Sequence, residues 1–207
     1  MTALDETEAV KMLHAAGGTS LHMPLYLALG TGMRRGELLG LRWSDVDLDG
    51  AALTVNQTLQ EAYGEIIFKE PKTTRSRRRI TLPGVVVDAL RVHRAEQAKK
   101  TLAREPGFVE SDLVLAAPGG GPWWPSNFDR VWRRFKTKQA LKIRFHDLRH
   151  THATQLLCAG VNVKVISERL GHASISITLD TYSHVMPGMQ EEAAEKIDAG
   201  LRAALAG

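Results

Sequence analysis

Residues 146–150 read His146-Asp147-Leu148-Arg149-His150, and the chain continues through Leu170-Gly171-His172 to Thr181-Tyr182-Ser183-His184. This stretch decides the reading, because it gathers imidazoles, a guanidinium and a phenol into a region of helical apolar spacing. Helices are expected at about 146–159 and 162–170, with Gly160 suited to the left-handed position that ends the first. His146 and Arg149 stand at i and i+3, so they share one helix face. Gly171 lets the chain turn sharply just before His172. Upstream lie two further cations: Arg34 in Thr31-Gly32-Met33-Arg34-Arg35-Gly36-Glu37, and Lys72 in Pro71-Lys72-Thr73-Thr74. Two arginines, a lysine, two histidines and a tyrosine are what metal-free phosphoryl transfer needs. The arginines hold the phosphate, the histidines and lysine manage protons, and the tyrosine attacks.

The rest of the chain reads as mainly α (α+β), one domain over 1–207. Asp5 and Glu8 form a capping box that starts a helix ending near Gly17-Gly18. Apolar helical runs follow at 23–29 and 35–41. Asp45 to Gly50 is turn-rich, and three strand-like runs at 52–59, 65–68 and 78–82 make a small antiparallel three-stranded sheet with Tyr63-Gly64 in its first turn. Pro83 opens a helix to about Lys100, another spans about 126–138, and a last one about 187–205. Residues 105–125 form an irregular loop around a short strand at 113–115. Trp43 and Trp123-Trp124 are expected to pack.

Composition narrows the function classes. Hydrophobic residues make up 43% of the 207, enough for a core. One cysteine, Cys158, allows no intrachain disulfide, and its place in Leu156-Leu157-Cys158-Ala159 predicts a buried thiol. No run of eighteen apolar residues suggests a membrane span, and the acidic start is no secretory signal, so a cytoplasmic protein is the default. The net charge of +4 is unevenly spread. Six bases against one acid lie between Lys69 and Arg79, and eight against one between Arg130 and Arg149. Such blocks suit a polyanion, and they nominate Lys69, Arg75, Arg77, Arg78, Arg79, Arg133 and Arg134 as phosphate contacts.

At the six quoted positions the chain resembles the tyrosine recombinases, the phage integrase family. The order Arg34, Lys72, His146-x-x-Arg149, His172, Tyr182 matches, and so do the intervals, over about residues 2–185. The family motif Thr-Gly-x-Arg selects Arg34 over Arg35. The resemblance implies that Tyr182 is the nucleophile, attacking a scissile phosphate to give a 3′-phosphotyrosyl bond and a free 5′-hydroxyl, with neither metal nor ATP nor other cofactor. It implies Lys72 in a hairpin as the acid for the leaving oxygen, and Glu37 as the carboxylate that steadies a buried guanidinium. Double-stranded DNA is then the partner, with a homotetramer on DNA, a monomer when free, and an accessory bending or directionality factor. The tail at 187–207 would be an exchange or docking helix. The family's N-terminal core-binding domain is expected to be missing from the stretch 1–207, and weak DNA binding is expected of that stretch. Other readings stay open: a DNA-binding module without strand exchange, and a type IB topoisomerase-like relaxing enzyme. A metal-dependent hydrolase is a further one, since His146 and His150 have zinc-helix spacing, but Asp147 stands where such a helix has glutamate. His150, His152 and His184 are expected to orient neighbours or pack.

Overall fold

The computed structural model describes residues 3–70, 77–103, 107–182 and 189–205. Lys72, Arg75 and His184 lie outside these. The first helix, α1 (Glu6–Ala15), begins at the expected capping box: Asp5 accepts from the Glu8 amide at 2.7 Å and Glu8 from the Asp5 amide at 3.0 Å. The second, α2 (His22–Thr31), is apolar nearly all round and runs through the core, with Leu25, Leu27 and Ala28 buried. It stops at Gly32, whose φ of +65° is left-handed. A Cβ there would meet the His152 ring at 2.6 Å. Short α3 (Arg35–Leu39) follows.

The sheet differs in detail from the expected one. Its three antiparallel strands are β1 (Val46–Asp47), β2 (Ala52–Val55) and a later strand at Arg78–Thr81, in the order β1, β2, Arg78–Thr81. The run at 52–59 breaks at Asn56-Gln57, and beyond it β3 (Thr58–Ala62) and β4 (Glu65–Lys69) form a separate hairpin. Tyr63 and Gly64 close that hairpin with φ of +56° and +77°, the sign pattern a tight two-residue turn needs. The turn-rich segment hid β1 because two residues give no periodicity. We number the Arg78–Thr81 strand β5; Val55 faces Arg78 and Leu53 faces Ile80 across its ladder.

Four helices then lead towards the site: α4 (Gly84–Ala103), α5 (Pro125–Lys138), α6 (Asp147–Cys158) and α7 (Val163–Leu170). In α5 Pro125 takes the first turn, where its missing N–H costs nothing, and Phe128, Trp132 and Phe135 face inward. Phe128 and Trp132 meet Phe145 edge-on at 4.9 and 5.5 Å. Trp123 is buried and Trp124 exposed, Leu113 forms one isolated bridge rather than a strand, and Cys158 is exposed, not buried, because it falls on the outer face of α6. A further helix, α8 (Ile175–Tyr182), was not anticipated; α9 (Met189–Leu205) was. Ala153, Leu157, Ile166, Leu170 and Tyr182 form a small second core joining α6, α7 and α8. Tyr182 is thus built into the packing rather than hung on the surface. Among the described residues no helix is long and apolar enough to cross a membrane.

Candidate active site

Arg34, His146, Arg149, His150, His172 and Tyr182 line one cavity of about 490 Å³. Five of the six residues nominated from the sequence therefore meet, while Lys72 lies outside the described residues.

Arg149 sits in the first turn of α6 and is only 4% exposed. Its guanidinium donates from Nη1 to the Gly32 carbonyl at 2.8 Å and from Nη2 to the Leu170 carbonyl at 2.7 Å. These carbonyls close the C-terminal ends of α2 and α7, where unsatisfied C=O groups carry partial negative charge. Arg149 is thus oriented by helix ends, which do not neutralise it as a carboxylate would. Burial, and then Arg34, push its pKa down to about 9, so it is still charged at neutral pH. A guanidinium has five N–H donors, so others remain for an anion.

Arg34 precedes α3 and is less buried, with 43% of its side chain exposed. Its Nη1 donates to Glu37 Oε1 at 3.0 Å, and its amide donates to Glu37 Oε2 at 2.9 Å. Glu37 also receives Nη1 and Nη2 of Arg78, at 3.1 and 2.8 Å. Burial works to raise the Glu37 carboxyl, but the hydrogen bonds and charge of Arg78, followed by Arg34, bring it below the usual carboxylate value. Arg78 was expected to contact phosphate. Its side chain is instead 6% exposed, clamped on Glu37 and donating from Nε to the Arg169 carbonyl at 2.7 Å. That position alternates in phase with core residue Ile80, so β5 turns it inward. Arg77 and Arg79 do face outward, near Glu70 at 3.5 Å and Asp47 at 3.0 Å. Lys69 is exposed at the end of β4.

His172 follows Gly171, the left-handed end of α7, where a Cβ would press on Arg78 at 2.9 Å. Its Nδ1 shares a 2.8 Å hydrogen bond with the buried Thr178 hydroxyl. Burial, then the charges of Arg149 and Arg34, push His172 down to about 4. His146 caps α6 and is pushed down by burial and then by Arg149. His152 does orient a neighbour: its Nδ1 donates to the Leu29 carbonyl at 2.6 Å, and Nε2 accepts from Arg169 Nε at 3.0 Å. Tyr182 closes α8 with its hydroxyl 2.8 Å from His150 Nδ1. Its pKa is raised by burial, with Arg149 opposing, so it enters as a phenol. The His150 contact, the Arg78 clamp and Thr178 were not assigned from the sequence.

Beside this cavity a second groove of about 710 Å³ shares Arg34 and His146 and adds Arg35, Arg133, Lys136 and Arg144. Arg133 and Arg134 are both exposed on α5, with Arg133 in the groove. The two hollows form one electropositive tract.

A model of the phage integrase family matches residues 2–188. The "Tyrosine recombinase XerC-like" protein of Caldanaerobacter subterraneus is 34% identical, covering 93% of this chain and 53% of its own length. The ICEBs1 integrase of Bacillus subtilis is 33% identical, covering 83% of this chain and 47% of its own. The chain thus spans about half the length of these curated relatives. Among solved structures, the Tn1549 transposon integrase in complex with circular intermediate DNA superposes with a TM-score of 0.80 at 22% identity, over 95% of this chain and 66% of that one. XerA recombinase gives a TM-score of 0.72 at 24% identity, over 95% and 65%. These two show the fold.

Proposed function

The chain belongs to the phage integrase family, the tyrosine recombinases, and on that footing we propose that it breaks and rejoins duplex DNA through a 3′-phosphotyrosyl intermediate, as the catalytic portion of a site-specific recombinase. The observation that carries this is the placement of Tyr182 in the same cavity as Arg34, His146, Arg149 and His172. A phosphodiester in that cavity meets two guanidiniums, one of them held by helix ends with its charge intact. The transition state spreads charge over the non-bridging oxygens, and fixed donors aimed there lower the barrier. Tyr182 Oη bonds to phosphorus, the bond to the 5′-oxygen breaks, and a proton reaches the leaving oxygen from Lys72 in the family reading. A 5′-hydroxyl from another strand reverses the step, and the phosphotyrosine conserves the bond energy. The second groove, with Arg133, would carry neighbouring phosphates, and Lys69, Arg77 and Arg79 would flank the duplex beside Lys72 and Arg75. Binding through such contacts weakens steeply with salt. We place the assembly on DNA as a homotetramer, with 187–207 docking on a neighbour.

The test is a nicked suicide duplex carrying candidate sites from the flanks of the protein's own element, run on a denaturing gel with and without chelator. A covalent adduct that survives chelator is expected, with peptide mapping at Tyr182. A salt-sensitive mobility shift without adduct favours the binding-module reading, and adduct lost to chelator favours a metal enzyme. Arg149→Lys is expected to keep binding within a few-fold and slow cleavage about 10²–10³-fold. An ammonium cannot both bridge the two helix ends and fork onto phosphate. Single-turnover rates at saturating protein check this.

A further inference from the structure

The phenol of Tyr182 must lose its proton as it attacks, and His150 is placed to receive it. Three bases line the cavity besides the guanidiniums. His172 has Nδ1 engaged by the Thr178 hydroxyl at 2.8 Å. His146 stacks its ring edge-on against His150 at 5.2 Å between centroids. His150 alone of the three has a recorded hydrogen bond with Tyr182, Nδ1 to Oη at 2.8 Å, inside the reach a general base needs. It stands one turn past His146, so α6 presents His146, Arg149 and His150 on one face.

We propose that His150 is a catalytic residue, the general base for Tyr182, accepting the phenolic proton on Nδ1 during attack and returning it when the DNA strand is resealed. This rests on the phosphotyrosyl reading above. The direction of the hydrogen bond follows from the surroundings. Arg149 repels a proton on the side of Oη that faces it, so the O–H points to His150, whose Nδ1 accepts and whose Nε2 carries the ring proton. The groups that face His150 are His146, Asp147, Arg149 and Arg144 from α6 and its approach, His172 from the α7–α8 turn, and Tyr182 from α8. Burial first, then His146, hold His150 below the usual histidine value, so it is neutral and able to accept at neutral pH.

The step balances. The O–H bond of Tyr182 breaks as the O–P bond forms, and an imidazolium appears at His150. The P–O5′ bond breaks, and the leaving oxygen takes a proton from a separate acid, Lys72 in the family reading. On resealing, the incoming 5′-hydroxyl gives its proton to that group, and the departing phenolate recovers its own from His150. The imidazolium also adds positive charge beside the phosphate while charge develops there.

The experiment compares the parent chain, His150→Ala and His150→Asn in single-turnover cleavage of the nicked duplex, with either a normal 5′-oxygen or a 5′-bridging sulfur at the scissile phosphate. A thiolate leaves without an acid, so the sulfur duplex isolates activation of the nucleophile. Both variants are expected to lose about 10²–10⁴-fold on both duplexes, with DNA binding and melting close to the parent's. Their rates should climb with pH as solvent hydroxide takes over. The parent's should fall on acidification through the His150 pKa, which burial holds below the usual histidine value. Asparagine can accept the Tyr182 hydrogen bond but cannot keep the proton, so recovery in His150→Asn would make the residue a positioning one and overturn the proposal. Parent-like rates in His150→Ala, or a defect cured by the sulfur duplex, would overturn it equally. A parent that forms no adduct would take down the phosphotyrosyl reading and this role together, whereas an adduct formed alike by all three proteins would remove only the role of His150.

Discussion

Tyr182→Phe is expected to bind DNA as the parent does and to form no covalent adduct at any protein concentration or incubation time. The substitution removes one oxygen and leaves the ring where it packs with Ala153, Leu157, Ile166 and Leu170. The lost hydrogen bond to His150 costs about 0.5–1.5 kcal/mol. That figure is an upper range here, because His150 is half-buried and water can take the vacated position. The fold and the electropositive tract therefore survive, and a missing adduct reports chemistry. Burial raises the pKa of the Tyr182 phenol in the free protein, with Arg149 opposing. The chain has two other tyrosines: Tyr26, partly buried on α2, and Tyr63, fully exposed at the hairpin tip. Neither lines the cavity. An adduct persisting in Tyr182→Phe and mapping to either would transfer the nucleophile there and separate the reaction from the arginine pair. Denaturing gels of parent and variant on the same duplex, with binding followed alongside, decide it.

How far the site could be read from the sequence differed from residue to residue, for physical reasons. Arg34, His146, Arg149, His172 and Tyr182 were legible because their types suit one chemistry and their order matches one family. Helix spacing alone placed His146 and Arg149 on one face. The same spacing puts His150 beside them, yet it suggested a residue that packs or orients a neighbour, with a zinc pair as a further reading, and not a partner for Tyr182. The deciding contact comes from α8, a short helix whose apolar residues Ile175, Ile177 and Leu179 alternate with the period of a strand rather than that of a helix. Arg78 was misassigned because it sits in a block of bases, and charge density was weighed above strand alternation. Its phase with Ile80 was readable and gives its inward direction. The split of the sheet at Asn56-Gln57 was not readable, since β-forming residues continue on both sides and the break depends on how the hairpin packs on α3. Cys158 went wrong because the surrounding apolar run is buried on one side only. Gly171 was read as a turn, and Gly32 entered only as part of the Thr-Gly-x-Arg motif. Their fuller role, to end two helices so that the last carbonyls grip Arg149, needed the tertiary arrangement.

Glu37→Ala is expected to be the most destabilising single change at this site, by about 3–5 kcal/mol. The reason is what remains behind: the Arg78 guanidinium, with 6% of its side chain exposed, loses the carboxylate it clamps, and Arg34 loses the group that fixes both its amide and its side chain. For a chain of this size the loss corresponds to a melting temperature lower by roughly 6–20 °C. The sign with pH follows from the depressed Glu37 pKa. The stabilisation is fully present above the ordinary value of 4.5 and is lost as pH falls through the lower folded value. Acid should therefore destabilise the parent more than Glu37→Gln, and the two melting curves should converge on acidification. Replacing both partners separates folding from function. In Glu37→Leu/Arg78→Met the Arg78 guanidinium is no longer left buried without its carboxylate, so most of the stability should return. Cleavage should remain impaired, because Arg34 still lacks its anchor and the phosphate meets a mobile guanidinium in place of a fixed one. A double variant that recovers both melting and cleavage would show that Glu37 serves the fold alone. A Glu37→Ala variant that melts with the parent would show that water or a shifted Arg78 offsets the missing carboxylate, and the clamp would lose its energetic role.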